Sequence, residues 1–90
     1  MVQEGDYLAV FNSAHRVMKA EQLLKESQLA ILLIPAPRQL QTDCGLALRF
    51  TDAIHDTVLE ILSEHRLLPA FISRFMHGSY QPEHIYQGDL

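Results

Sequence analysis

The chain has 90 residues, 48% of them hydrophobic and 20% charged, and its seven Lys and Arg against eleven Asp and Glu give a formal net charge of −4. That length makes one domain near the lower limit for an unaided core, and the hydrophobic fraction excludes a disordered segment. Scattered cations and an acidic balance exclude a nucleic-acid surface, and no run approaches the roughly 20 apolar residues of a membrane-spanning helix.

Tyr7-Leu8-Ala9-Val10-Phe11 is short and rich in β-formers, which predicts strand one. Asn12 or Ser13 can cap the helix that follows, because either side-chain oxygen can accept from a free N–H of the first turn. Within Ala14–Ser27 the apolar positions Val17, Ala20, Leu23 and Leu24 keep helical spacing, with Arg16, Lys19, Glu21, Gln22, Lys25 and Glu26 on the solvated side. Ala30–Ile34 reads as strand two, stopped by Pro35 and Pro37, which cannot donate to a ladder. Leu46–Phe50 reads as strand three. Thr51 and Asp52 offer caps to a second helix over Ala53–His65, where Ile54, Val58, Ile61, Leu62 and His65 form one stripe. Ala70–Phe75 reads as strand four.

The order β-α-β-β-α-β predicts an α+β, ferredoxin-like sandwich over residues 1–75: a four-stranded antiparallel sheet of order 4-1-3-2, with both helices on one face. Residues 76–90, which include Gly78, Pro82, Tyr86 and Gly88, have no clear period and are expected as a tail, loose or packed on the sheet. Strand two is apolar throughout, so the face away from the helices is also expected to be covered, by a homodimer through the sheet or by the tail.

Chemistry is sought first at Cys44, the only cysteine, in the polar loop Pro35-Ala36-Pro37-Arg38-Gln39-Leu40-Gln41-Thr42-Asp43-Cys44-Gly45. It has no partner for an internal disulfide and no second thiol for a four-cysteine zinc site. Three readings stand: a reactive thiol, a mixed Cys/His metal ligand, or a small side chain without a role. The topology puts the loop beside the start of the first helix, at Ser13 and His15. Free N–H groups at a helix start favour an anion such as a thiolate, and Asp43 opposes it. Gly45 leaves the backbone beside the sulfur uncrowded. Pro35 and Pro37 frame the loop as a rigid turn, and Arg38 offers paired planar donors to an anion.

His15 and His65 are expected near Cys44, the first on the opening turn of helix one and the second on the last turn of helix two. The simpler readings are a solvated residue for His15 and a helix-end residue for His65. His55 is expected on the helix surface. His77 and His84 lack the spacing of familiar zinc motifs. No metal and no cofactor are expected.

Phe11-Asn12-Ser13, Lys19-Ala20-Glu21-Gln22-Leu23-Leu24-Lys25, Leu33-Ile34-Pro35-Ala36-Pro37-Arg38 and Cys44-Gly45-Leu46-Ala47-Leu48-Arg49-Phe50 resemble the small bacterial selenium/sulfur carrier protein-like family. The resemblance spans residues 7–75, and its most specific part is the proline-x-proline-arginine run followed by Cys-Gly and an apolar strand. It implies a thiol that takes up sulfur or selenium as a persulfide or selenosulfide and passes it on. Cys44 would be the acceptor, framed by Gly45, Pro35, Pro37 and Arg38, and the partners would be donor and acceptor enzymes. Asp43 departs from the family pattern.

A carrier suits the missing parts, since there is no resolving cysteine and no acid–base pair at telling spacing. A non-catalytic module that binds a protein or a small ligand, with Arg38 on an anionic effector, is the alternative. An enzyme would have to pair Cys44 with His15 or His65 as nucleophile and base. The opening Met-Val-Gln-Glu-Gly-Asp lacks the basic start and apolar core of a secretory signal, and a lone thiol fits a reducing compartment, so a cytoplasmic location is expected.

Overall fold

The computed structural model describes residues 2–40 and 42–85. Strand β1, Tyr7–Val10, is buried at every position, as a strand must be when both of its edges are paired and both of its faces are packed. Helix α1 (Ala14–Glu26), strands β2 (Leu32–Pro35) and β3 (Leu46–Phe50), helix α2 (His55–Glu64), and strands β4 (Phe71–Met76) and β5 (Ser79–Ile85) follow, with 3-10 turns at Arg38–Leu40 and Asp52–Ile54. The sheet runs β2-β3-β1-β4-β5, and every pairing in it is antiparallel.

That order corrects the expected four-stranded sheet of order 4-1-3-2. The difference is β5, which pairs along the whole of β4 from Met76↔Ser79 to Phe71↔Ile85, where a loose or packed tail was expected. Two consecutive left-handed residues, His77 at φ 54 and Gly78 at φ 78, make the tight connection between these strands. Their twist matches that of the flanking strands. The His77 N–H donates to the Glu4 carboxylate at 2.8 Å, which ties the turn to the N-terminal segment. Period two is lost in β5 because Ser73 pairs with Pro82 and Ile72 with His84, leaving Glu83 as an extra residue. Pro82 is tolerated because β5 lies at the sheet edge. Tyr86 and Gly88 of the expected tail lie outside the described residues.

Alternation sorts the sheet into two faces. Tyr7, Ala9, Phe11, Leu48, Phe50 and Ile72 point to the helices and pack with Val17, Ala20, Leu24, Val58 and Leu62 in the main core. Ser13 caps α1, its hydroxyl accepting from the Arg16 N–H at 3.2 Å, and Val17, Ala20 and Leu24 form the buried stripe of that helix. Neither Thr51 nor Ile54 makes a side-chain cap ahead of α2. The Asp52 carboxylate accepts instead from the Tyr7 hydroxyl at 3.2 Å. His65, assigned by spacing to the apolar stripe of α2, is exposed.

On the opposite face Leu8, Val10 and Ala47 are buried beneath Leu40, with Val2, Ile34, Ala36, Phe71 and Tyr80 around them. Cover on that face therefore comes from the β2–β3 connection, through Ala36 and Leu40, and from Val2 of the N-terminal segment within one chain. Leu32, on the edge strand β2, is left 45% exposed.

At the end of the sheet where β1 begins, Tyr7 stacks on Phe50 at 5.6 Å and meets the tilted His55 ring at 4.4 Å, and the Arg74 guanidinium lies 4.9 Å over the Tyr7 ring. His55 is thus half-buried at the rim of the core, with Nδ1 2.9 Å from the Asp56 carboxylate, rather than on the free helix surface. Burial raises the pKa of the Tyr7 phenol above its ordinary value of 10.0; the Arg74 charge opposes this, and the hydrogen bond and charge of Asp52 reinforce it.

Two predictions follow from this packing. Leu48→Ala removes a fully buried side chain between the helices and the sheet, and urea unfolding should register a loss of about 2–5 kcal/mol. Because the folded chain holds the Tyr7 proton to higher pH than the unfolded chain, the stability it contributes is intact below pH 10 and is lost as pH rises through the folded pKa. Urea midpoints measured between neutral and strongly alkaline pH should therefore fall more steeply above pH 10 in the wild type than in Tyr7→Phe.

Candidate functional site

Residue 44 precedes β3 by two positions and shares the parity of Leu46, Leu48 and Phe50, so its side chain turns toward the helices. Cys44 packs at the margin of the main core and is half-buried. The antiparallel register Val10↔Ala47 continues past the end of β1 and brings the Phe11 carbonyl beside the thiol. The Cys44 S–H lies within donating distance of the Phe11 carbonyl oxygen at 3.3 Å and the Leu46 carbonyl oxygen at 3.3 Å. Both contacts use the sulfur's proton. With one proton it serves one carbonyl at a time, and a thiolate serves neither.

The loop is braced from both sides. The Ala36 N–H donates to the Gly45 carbonyl at 2.8 Å, directly beyond the Pro35↔Leu46 pair, and so joins the proline run to the Cys-Gly pair. The Gly45 N–H donates to the Thr42 hydroxyl at 2.7 Å, and the Leu40 N–H to the Pro37 carbonyl at 3.0 Å. Gly45 has φ +72, and a Cβ built there would meet nothing within 4 Å. Backbone conformation, not crowding, is what asks for glycine at this position. Leu40 anchors the far side of the loop by its burial on the opposite sheet face.

The other residues expected at the site are dispersed around it. Ser13 is committed to capping α1, and the Arg16 N–H it holds is not directed at the sulfur. The sulfur faces carbonyl oxygens rather than the helix N–H groups that would favour a thiolate, because Asn12 and Ser13 intervene between Phe11 and the first turn. Arg38 is exposed at the start of its 3-10 turn, and Asp43 is exposed beside the thiol. His15 and His65 line one groove with Arg16, Lys19 and Arg66, and Cys44 is not part of its wall. His65 Nδ1 is 3.0 Å from the Ile61 carbonyl, so that nitrogen carries the proton and donates. Neither imidazole is a hydrogen-bond partner of the sulfur among the described residues, which leaves the nucleophile–base pairing unformed. His77 is exposed at the opposite end of the sheet, and the side chain of His84 lies outside the described part. Among the described residues no three His, Cys, Asp or Glu side chains are grouped so as to hold a metal ion. No helix among them is long and apolar enough to cross a membrane.

Sequence reasoning missed the two carbonyls that hold the thiol, and a backbone oxygen leaves no trace in residue type. The Thr42 contact had a signal: a hydroxyl residue three positions before a glycine in a turn.

The chain belongs to the family described as "Putative Se/S carrier protein-like", whose model matches residues 6–74. The matched region holds Cys44, the proline run and β1 through most of β4, and it ends before β5. Comparison with the curated proteins finds no match, and comparison with the solved structures finds none.

Substituting Gly45 by Ala should test the loop's dependence on a left-handed backbone. The expected cost is about 1–2 kcal/mol, read as a lower thermal midpoint, with the rest of the fold unchanged by circular dichroism.

Proposed function

We propose that the chain accepts a sulfane sulfur or selenium on Cys44 and delivers it to a partner protein. The observation that carries this reading is the sulfur's setting: a single half-buried thiol on a braced loop, contacted by two carbonyl oxygens and, among the described residues, by no side-chain base. Membership of the Se/S carrier family supports the choice of cargo. An enzyme acting through this thiol would need a base of its own beside it. A carrier does not, since the donor supplies the activated sulfur.

In loading, the Cys44 sulfur gives up its proton to solvent or to a base on the donor, and attacks the terminal sulfur of a donor persulfide. The donor's S–S bond breaks, its cysteine leaves as the thiolate, and Cys44 becomes a persulfide with no net oxidation or reduction. Delivery repeats the same exchange with the acceptor's nucleophile. Deprotonation removes the only donor in the two carbonyl contacts, so leaving the resting position and becoming reactive are linked events. Pro35, Pro37 and Gly45 hold the loop for this, and Arg38 and Asp43 stand exposed at its surface, where a partner's surface would meet them.

The test is intact-mass analysis after incubation with a cysteine desulfurase and L-cysteine. Wild type should gain the mass of one sulfur, and reduction should remove it. Cys44→Ser should gain nothing. An unchanged wild-type mass with an active desulfurase would sink the proposal.

A further inference from the structure

The cations of this acidic chain are unevenly placed. Arg49 faces Asp6 at 3.6 Å, Arg74 faces Asp52 at 3.7 Å, and Lys25 is bonded to Glu21 at 3.0 Å. Lys19 and Arg66 make no ion pair among the described residues, and both line a groove of about 600 Å³ between α1 and the segment linking α2 to β4. Arg16, His15 and His65 share the wall, and among the described residues Glu26 is the only acidic one in it. Arg16 holds the groove in shape by donating to the Arg66 carbonyl at 3.2 Å and the Leu68 carbonyl at 3.3 Å.

We infer that this groove docks an acidic segment of a protein that exchanges sulfur with Cys44, an inference that rests on the carrier reading. Two observations select a protein segment over a small anion. The charged side chains Lys19 and Arg66 and both imidazoles are exposed, and only Arg16 is half-buried. Charges that stay in water at about 4 Å gain only about 1 kcal/mol per pair, too little to retain a small ion but enough to steer and register a large partner. The second observation is position. Arg16 and His15 stand on the first turn of α1, the helix capped by Ser13, and Phe11, two residues before that cap, is the residue whose carbonyl meets the thiol. The groove runs along α1 as far as Glu26, and its end at His15, Arg16, His65 and Arg66 therefore lies at the same end of the molecule as the sulfur. A like-signed surface is repelled there, so the groove also selects among partners.

The test titrates fluorescein-labelled hexaglutamate with the full chain in low-salt buffer and follows anisotropy. Saturable binding is expected, weakened about tenfold in Lys19→Glu/Arg66→Glu and about threefold in Lys19→Gln/Arg66→Gln. Circular dichroism checks that both variants fold. Binding in Cys44→Ser should equal wild type, which separates this surface from the sulfur chemistry. Equal binding by wild type and the charge-reversed chain overturns the inference, as does no binding at low salt. Displacement by pyrophosphate far beyond that by sodium chloride of equal ionic strength also overturns it, since the groove is then a small-anion site. Failure of Cys44 to load sulfur leaves the peptide result standing, and failure of the peptide to bind leaves loading of Cys44 by a small persulfide donor intact.

Discussion

Everything at the end of the sheet that carries the thiol depends on the antiparallel register between β1 and β3. Tyr7↔Phe50 through Val10↔Ala47 aligns the central strand with its neighbour. Carried past Val10, that alignment sets the Phe11 carbonyl against the Cys44 sulfur. A slip of one residue would turn Leu48 and Phe50 away from the helices and take Cys44 with them, since side-chain parity in a strand is strict. The core thus enforces the position of the thiol: the burial of Leu48 and Phe50 keeps residue 44 on the helix side.

The two ends of the sheet do different work. Where β1 begins, Tyr7, Phe50, His55, Asp52 and Arg74 form a close cluster of stacked rings, a hydroxyl–carboxylate bond and a cation over an aromatic face. Asp52 serves both the Tyr7 hydroxyl and the Arg74 guanidinium, and His55 pairs with Asp56. Where β1 ends, the loops carry the thiol, Gly45 and Arg38, the groove along α1 has one end, and Arg38, Lys19 and Arg66 are exposed to solvent. This division suits the carrier role proposed for Cys44, which needs the loop end open to other molecules.

Much of the chain was legible in its residues. The stripe Val17, Ala20 and Leu24 and the pair Val58 and Leu62 are buried where helical spacing put them, and the Ser13 cap is made. The fifth strand was hidden because Pro82 and the extra residue Glu83 break the alternation by which a strand is recognised. His65 kept the spacing of a core residue and is exposed, because α2 ends at Glu64 and His65, its C-cap, is followed by a left-handed Arg66. The special character of the Cys-Gly loop could be read, but the partners of the sulfur could not: both are main-chain oxygens from positions 33 residues and two residues away.

By itself, the order of residues determined the two helices and the first four strands, and that one isolated thiol lies on a proline-framed connection. Local periodicity, capping side chains and the conformational limits of proline and glycine act over a few residues and need no distant contact. Only the folded chain decided what the thiol touches, that the last described segment extends the sheet instead of crossing it, and that Lys19 and Arg66 face one groove. Those are consequences of pairing between remote strands and of packing two helices on one face, and no short stretch of residues carries them.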